Sequence, residues 1–179
     1  MKSIYEERPW LKLYPSGVNA DVTFPNKSVG EVFDDTTEKW KNRTAIIFYG
    51  NKIGFKELRE MVDRFATALA ALGIRKGDRV ALLLLNSPEY IISFYAAVKI
   101  GAVVTPISPV YVSSEIKHQL EDSGAESIIC QDILYEGVEK SGVKLKNVIL
   151  TSVADSLPRL TKFMGKSILR GVYQKMAAP

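Results

Sequence analysis

The chain has 179 residues, of which 46% are hydrophobic and 25% are charged. This composition is typical of a folded globular protein and excludes general disorder. The formal net charge is +4, but the basic excess lies at one end. Five basic residues and no acidic residue follow Leu157, namely Arg159, Lys162, Lys166, Arg170 and Lys175. The rest of the chain is nearly neutral and has no basic stripe with interleaved aromatic residues, so nucleic acid is not an expected partner.

Cys130 is the only cysteine, so an internal disulfide and a multi-cysteine metal site are both excluded. A reducing, cytoplasmic location is therefore favoured. The N-terminus has no apolar stretch of signal-peptide length. Residues 1–27 are interrupted by Pro9, Pro15, Gly17 and Pro25, which indicates an extended N-terminal arm.

From residue 28 onward, helix and strand patterns follow one another. Ser28 and Glu31 predict a capping box at the start of a helix. Residues 43–55 contain two apolar runs joined by Gly50-Asn51, which predicts a hairpin. A helix is predicted from residue 55 to 72, ending at Gly73, and its apolar side is formed by Leu58, Met61, Val62, Phe65, Ala66, Leu69, Ala70 and Leu72.

The apolar run from Pro88 to Pro109 is too interrupted to span a membrane, because it contains Lys99, Gly101 and Pro106. It reads instead as a buried helix over 88–100, with Ser87 as its N-cap, and a strand over 102–107. The preceding stretch, "DRVALLLLN", is continuously apolar, which indicates a strand that is covered on both faces.

The same alternation continues to residue 152. A helix capped by Ser113 or Ser114, a strand in "ESIICQ", a short helix over 132–140 and a strand in "NVILT" follow in order. Strands that alternate with helices predict an α/β fold, with a mostly parallel sheet flanked by helices on both faces. Residues 28–152 are assigned to this α/β subdomain.

Four polar residues lie at the ends of predicted strands, where parallel sheets bind ligands: Asn86, Ser87, Thr105 and Ser108. Each one also has an ordinary role as a helix cap or turn residue, and that role is favoured. No G-x-G-x-x-G follows the strand over 79–86, and G-x-x-x-x-G-K-[ST] does not occur.

Other reactive side chains in the sequence do not form a catalytic set. His118 is the only histidine and lies on a polar helix, which favours a solvated surface position. Cys130 lies in an apolar strand and is interpreted as an inert core thiol. Glu121 and Asp122 are adjacent on a helix and diverge. No catalytic residue and no metal ligand is assigned, and the cofactor-binding residues stay unknown.

Residues 153–179 form a basic tail. Between Leu160 and Met176 apolar residues recur at helical spacing with Lys162, Lys166 and Arg170 between them. A basic amphipathic helix of this kind can lie on an anionic membrane. Packing of the apolar face on protein is the favoured interpretation, because exposing it would forgo about 9 kcal/mol or more.

The motifs in this order resemble the N-terminal part of the adenylate-forming acyl-CoA synthetases, also called AMP-dependent synthetases and ligases. The similarity is carried by "GIRKGDRVALLLLNSPEYIISFYAAVKIGAVVTPISPVY" and continues in "SSEIKHQLEDSGAESIIC". Within the family, "WLKLYPSGV" and "NVILTSVADSLP" look most like medium- and long-chain fatty acyl-CoA ligases. One departure is Gly54, where the family usually has a hydroxyl residue that caps the following helix.

The resemblance implies a ligase that converts ATP, a fatty acid and CoA into acyl-CoA, AMP and pyrophosphate through an acyl-adenylate. ATP, Mg²⁺ and CoA are the implied cofactors of the full-length enzyme. The family's phosphate-binding loop, adenine and ribose motifs and catalytic lysine do not occur before Pro179. The chain is therefore expected to be a fragment that binds none of these cofactors and is inactive alone.

The expected partners are the remainder of its own chain, a fatty acid substrate, a second copy in a homodimer and, through 157–179, peripheral membrane lipid. Two alternative functions stay open at this point. One is another adenylate-forming ligase, such as an aryl-CoA ligase or a peptide-synthetase adenylation domain. The other is a stand-alone α/β module that docks on membrane lipid.

Overall fold

The structure, a computed structural model, describes residues 3–157. Its helices are α1 (Ile4–Glu7), α2 (Val29–Lys39), α3 (Phe55–Ala71), α4 (Pro88–Lys99), α5 (Ser113–Ser123) and α6 (Tyr135–Ser141). Its strands are β1 (Thr44–Phe48), β2 (Asn51–Gly54), β3 (Arg79–Leu83), β4 (Val103–Pro106), β5 (Ser127–Gln131) and β6 (Asn147–Thr151). Short 3-10 helices cover Pro9–Leu13, Asp132–Leu134 and Val153–Ser156.

Strands β3 to β6 form one parallel sheet in the order β4-β3-β5-β6, which confirms the predicted fold class. Val80 pairs with Val104 on one side and with Ser127 on the other, so β3 is a central strand. Four of its five residues are buried, as continuous apolar sequence predicts for a strand covered on both faces.

Helices cover both faces of this sheet and create two cores. The first core lies beneath α2, α3 and α4 and contains Phe33, Ile53, Leu58, Val62, Ala66, Leu69, Ile74, Val80, Leu82, Leu84, Ala96, Ala97, Ala102 and Ile129. The second core lies beneath α5 and α6 and contains Ala81, Leu83, Ile107, Ile116, Leu120, Ala125, Ile128, Cys130 and Val138. Alternate residues of β3 and β5 enter opposite cores because successive side chains of a strand point to opposite faces.

The predicted hairpin is present, but its turn lies one residue earlier than the sequence suggested. Phe48 pairs directly with Asn51, so the two turn residues are Tyr49 and Gly50. Both have positive φ angles, 48° and 83°. A two-residue turn between twisted antiparallel strands favours positive φ at both positions, and Gly50 adopts it without a steric cost.

The helix caps were predicted with mixed success. Ser28 caps α2 as expected, because the Glu31 amide donates to its hydroxyl at 3.2 Å and the Ser28 amide donates to the Glu31 carboxylate at 2.7 Å. The prediction that Ser113 or Ser114 caps α5 is wrong. The N-cap residue is Val112, and its amide donates to the Glu115 carboxylate at 2.9 Å.

Helix α3 begins after Gly54 without a side-chain cap. The last predicted apolar position of this helix, Leu72, is exposed, so the buried stripe is shorter than the sequence pattern. Gly73 then follows with a φ of +87°, as a residue that terminates a helix in the left-handed conformation.

Lys99 ties the three helices of the first face together. Its ammonium group, near the end of α4, contacts Asp34 of α2 at 2.6 Å and Asp63 of α3 at 2.5 Å. Burial lowers the pKa of Lys99, but the hydrogen bonds to the two carboxylates outweigh this and raise the pKa above its ordinary value.

The predicted amphipathic helix of the basic tail lies outside the described residues. Among residues 3–157, no helix combines the length and apolar character needed to cross a bilayer. Residues 3–27 precede the α/β layers and are almost entirely exposed.

Candidate functional site

The carboxyl ends of the parallel strands define one edge of the sheet. The connection after β3 passes through α4 on the first face, whereas the connection after β5 passes through α6 on the second face. Since β3 and β5 are adjacent, their connections diverge between the two carboxyl ends. In open α/β sheets this divergence creates the crevice in which ligands bind.

An open cavity of about 490 Å³ lies at this edge. Asn86 and Ser108, two of the four polar residues singled out from the sequence, line it together. The other lining residues are mainly apolar or aromatic and comprise Leu84, Leu85, Tyr90, Pro106, Ile107, Pro109 and Tyr111. The cavity therefore offers an apolar wall with two polar side chains at the strand ends.

The other two predicted residues, Ser87 and Thr105, do not line this cavity. Thr105 is part of β4 and pairs with Ala81 of β3. Ser87 is the N-cap residue of α4, as predicted, but its side chain makes no capping hydrogen bond. The Ser87 hydroxyl is instead buried without a hydrogen-bond partner among the described residues.

The least expected feature of the edge is a set of buried polar residues, grouped as the Glu89 cluster because each has a buried side-chain atom without a hydrogen-bond partner among residues 3–157: Ser87, Glu89 and Gln131. Glu89 lies in the first turn of α4, and Gln131 ends β5 on the face that carries Ile129 of the first core. Ser87 is 6% exposed, Glu89 8% and Gln131 0%. Within residues 3–157 the Ser87 Oγ, the Glu89 Oε2 and both amide atoms of Gln131 lack hydrogen-bond partners.

A hydrogen-bond chain joins Glu89 to two distant segments. The Ser156 hydroxyl donates to the other carboxylate oxygen of Glu89, Oε1. The side-chain amide of Asn51, in the β1–β2 hairpin, donates to the Ser156 carbonyl at 3.0 Å. The last described 3-10 helix is thereby fixed against both the hairpin and the start of α4.

The sequence did not single out Glu89 or Gln131, although a signal existed. Gln131 is the one amide-bearing residue of the strand "SIICQ", and a polar residue at the end of a fully buried strand demands partners. Glu89 follows Pro88 at a helix start, where a carboxylate is ordinarily explained by the helix dipole. Because this ordinary role already explains Glu89, the sequence pattern did not indicate that its side chain is buried.

The remaining candidates occupy positions that match their sequence interpretation. His118 is exposed on α5, and Glu121 and Asp122 are exposed further along the same helix. Cys130 is fully buried in the second core, and burial, helped by the nearby charge of Asp132, raises the pKa of its thiol to about 12. In the described range there is no group of three or more His, Cys, Asp or Glu side chains arranged to hold a metal ion.

Comparison with known proteins agrees with this architecture. A family model described as AMP-binding enzyme matches residues 33–169. The chain is 33% identical to a long-chain-fatty-acid–CoA ligase of Bacillus subtilis over 175 residues, which cover 94% of this chain and 30% of that ligase. The chain therefore belongs to the AMP-binding enzyme family, and it spans about a third of the length of the curated relatives that it matches.

Solved structures show the same fold. A long-chain-fatty-acid-CoA ligase from Archaeoglobus fulgidus superposes with a TM-score of 0.69 and 27% identity, covering 76% of this chain and 30% of that chain. The N-terminal subdomain of Klebsiella oxytoca NpsA, in complex with anthranilyl-AMSN, gives a TM-score of 0.63 and 32% identity over 69% of this chain and 31% of that chain.

Proposed function

We propose that this chain is the N-terminal scaffold of a long-chain fatty acid–CoA ligase. The observation that carries the proposal is the 33% identity over 94% of the chain to the Bacillus subtilis ligase. The four-stranded parallel sheet and its open carboxyl edge fit this role, because a rigid sheet positions the loops that bind ligands at that edge. Its partners are the remainder of its own polypeptide and a fatty acid.

The proposed reaction has two steps. The fatty acid carboxylate attacks the α-phosphate of ATP, forming an acyl-adenylate and releasing pyrophosphate. The thiol of CoA then attacks the acyl carbonyl, forming the thioester and releasing AMP. Mg²⁺ and preorganised donors would offset the charge that develops on the phosphate oxygens. The motifs that supply these groups in the family do not occur in the sequence up to Pro179.

The contribution of this chain is therefore structural, and we expect the 179-residue protein by itself to form no acyl-adenylate. The measurement is mass spectrometry of the products after incubation with ATP, Mg²⁺ and palmitate. Detection of palmitoyl-adenylate above a heat-denatured control would contradict this part of the proposal.

The coding sequence beyond Pro179 tests the larger claim. We expect a Ser/Thr/Gly-rich phosphate loop within the next few dozen codons, followed by the adenine and ribose motifs. A stop codon directly after Pro179 would contradict the assignment to a longer ligase.

Activation of an aryl acid is the second candidate, because the similar Klebsiella oxytoca NpsA subdomain was solved with anthranilyl-AMSN. Pyrophosphate release by the longer protein distinguishes the two candidates. We expect palmitate to support release and anthranilate to give only background. Pyrophosphate release with anthranilate but only background release with palmitate would identify an aryl acid, and not a fatty acid, as the substrate.

A further inference from the structure

We propose that residues 152–157, which we call the strap, close over the carboxyl end of β5 and open without unfolding of the sheet. The proposal adds a moving segment to the candidate site and does not depend on the ligase activity. Three observations carry it: the route of the strap across the sheet edge, the hydrogen bond that holds its end, and the unpartnered polar atoms that lie where it closes.

The strap crosses the carboxyl end of β5. Thr151, at the end of β6, is paired with Gln131 at the end of β5. Five residues later, Ser156 contacts Glu89 of α4, the helix that follows β3, and Asn51 of the hairpin. Since β5 lies between β6 and β3, the strap has to pass the end of β5 on this route. Two strand spacings amount to about 10 Å and five residues span at most about 18 Å, so the route has little slack.

The strap lies on the face of the sheet that carries the first core. The two elements that it contacts, the hairpin and α4, both contribute residues to that core. Gln131 shares this face of β5 with Ile129, because alternate residues of a strand point the same way. Val153 and Ala154 of the strap are 6% and 4% exposed, and Gln131 is 0% exposed. The closed strap thus lies against the end of β5 from which the Gln131 side chain projects.

Closure of the strap is opposed by polar atoms at the same place. Among residues 3–157, both amide atoms of Gln131 and Oε2 of Glu89 are buried without a hydrogen-bond partner. A buried polar group without a partner is destabilising, and water satisfies it once the site opens. This gain offsets part of the apolar burial that the strap loses on opening. Opening therefore costs much less than global unfolding, as is usual for segments at ligand-binding edges.

The Ser156 hydroxyl acts as the latch of the closed strap. It donates to Oε1 of Glu89, a residue that is 8% exposed, and hydrogen bonds to a carboxylate are among the stronger ones in proteins. Ser152, at the other end of the strap, is an N-cap residue without a side-chain capping hydrogen bond. The two serines therefore provide a matched pair, since removal of one hydroxyl breaks the latch and removal of the other does not.

Cysteine labelling in the 179-residue protein tests the opening. The reporter is Gln131→Cys in a Cys130→Ala background, because a thiol at the fully buried position 131 meets iodoacetamide only when the strap is open. Ser156→Ala removes the latch, and Ser152→Ala is the matched control. Labelling is measured between 0 and about 1 M urea, since global unfolding responds steeply to urea and an opening that exposes little surface does not.

We expect the labelling rate of the reporter to change less than about twofold over this range of urea. Ser156→Ala should raise the rate about tenfold, as for loss of one hydrogen bond to a carboxylate, and Ser152→Ala should change it less than about twofold. A labelling rate that rises with urea in parallel with the global unfolding constant, or equal effects of the two serine variants, would overturn the proposal.

Amide hydrogen exchange provides a second measurement that needs no reporter and applies even if Gln131→Cys fails to fold. In the closed strap the Asp155 amide donates to the Ser152 carbonyl at 2.9 Å. We expect its exchange to be insensitive to low urea, unlike that of the β3 amides, and to become about tenfold faster in Ser156→Ala. Urea dependence equal to that of β3, or exchange that Ser156→Ala leaves unchanged, would show that no opening breaks the latch and would overturn the proposal.

Discussion

Lys99 connects three helices through two ion pairs. Its ammonium group lies between Asp34 and Asp63, and its side chain is 24% exposed, so both ion pairs are partly shielded from solvent. Partial burial makes such contacts more valuable than exposed pairs, and it makes the loss of one partner more damaging. The network is therefore a candidate for a measurable contribution to stability.

Replacement of Lys99 by Met keeps the length and apolar contacts of the side chain and removes the charge. We expect the free energy of unfolding to fall by about 1–2 kcal/mol, since Asp34 and Asp63 lose a shielded partner. Urea unfolding measures the change. Lys41→Met, which removes the exposed Lys41–Glu38 pair at 2.7 Å, is the control and should cost less than about 0.5 kcal/mol.

The same network predicts a pH dependence. The pKa of Lys99 is raised above its ordinary value of 10.5 in the folded state. Its stabilisation is therefore fully present below pH 10.5 and is lost as the pH rises through the folded-state pKa. The stability difference between the parent and Lys99→Met should be constant from neutral pH to about pH 10 and should shrink above it. A difference that grows with alkaline pH would contradict this.

Cys130 offers a second test at the scale of one residue. Burial raises the pKa of its thiol to about 12, and the thiolate is the reactive form. At pH 8 we expect iodoacetamide to modify the native protein at least about a thousandfold more slowly than the urea-unfolded protein. Because the sequence contains a single cysteine, total mass gain reports this site alone. Comparable rates would show that the strand is accessible.

Gly101 illustrates how the ends of helices and strands are fitted to one another. It terminates α4 with a φ of +79°, and its carbonyl accepts a hydrogen bond from the Gly77 amide at 2.9 Å. A Cβ at Gly101 would lie 2.9 Å from the Cγ and 3.1 Å from the Cβ of Lys76. The loop before β3 and the loop before β4 thus approach each other at a position that requires glycine.

Gly101→Ala should therefore lower the free energy of unfolding through both the left-handed backbone and the contact with Lys76. We expect about 2–3 kcal/mol in total. Gly73→Ala is the matched control, since its φ is +87° and no atom lies within 4 Å of the added Cβ. It should cost only the backbone part, about 1 kcal/mol. Equal losses for the two variants would show that the Lys76 contact is relieved without cost.

At the scale of elements, the sequence predicted most of the fold because hydrophobic periodicity reports burial directly. The boundaries of α4 and β5 agree within a residue or two with the pattern that predicted them. The wrong predictions concern the first residue of a helix and the turn of the hairpin, where the conformation of a single residue determines the boundary. The cap of α5 is Val112 because the Glu115 carboxylate satisfies the amide there, and this left the two serines without a capping role.

At the scale of the whole molecule, one sheet contributes side chains to both cores. Leu82 and Leu83 are adjacent in β3, but one packs beneath α3 and α4 and the other beneath α5 and α6. Both are fully buried. A strand that contributes to both cores couples them, so loss of packing on either face should weaken the entire α/β layer structure.

Leu82→Ala and Leu83→Ala test this coupling. We expect each to lower the free energy of unfolding by about 2–5 kcal/mol, because each leaves a cavity in a packed core. Far-UV circular dichroism follows all helices, whereas the fluorescence of Trp40, in a Trp10→Phe background, follows the end of α2. Coincident transitions in each variant are expected for one cooperative unit. Separate transitions would show that the two cores unfold independently.

The candidate site was less predictable than the fold, for a physical reason. Asn86 and Ser108 could be placed at strand ends from the sequence, and they do line one cavity. The surroundings of Glu89 could not be predicted, because they depend on Ser156 approaching the start of α4 from far along the chain. Periodicity gives the face of each residue but not which distant residues meet across a sheet edge.

The position of β5 between β3 and β6 has a consequence for biosynthesis. During translation β3, α4 and β4 leave the ribosome before the strand that completes the far side of β3 has been made. The flank of β3 that later receives Ile128 and Ile129 is thus transiently uncovered. A nascent chain paused in this interval would present an unpaired apolar edge, so chaperone capture should peak there and subside once β5 has emerged.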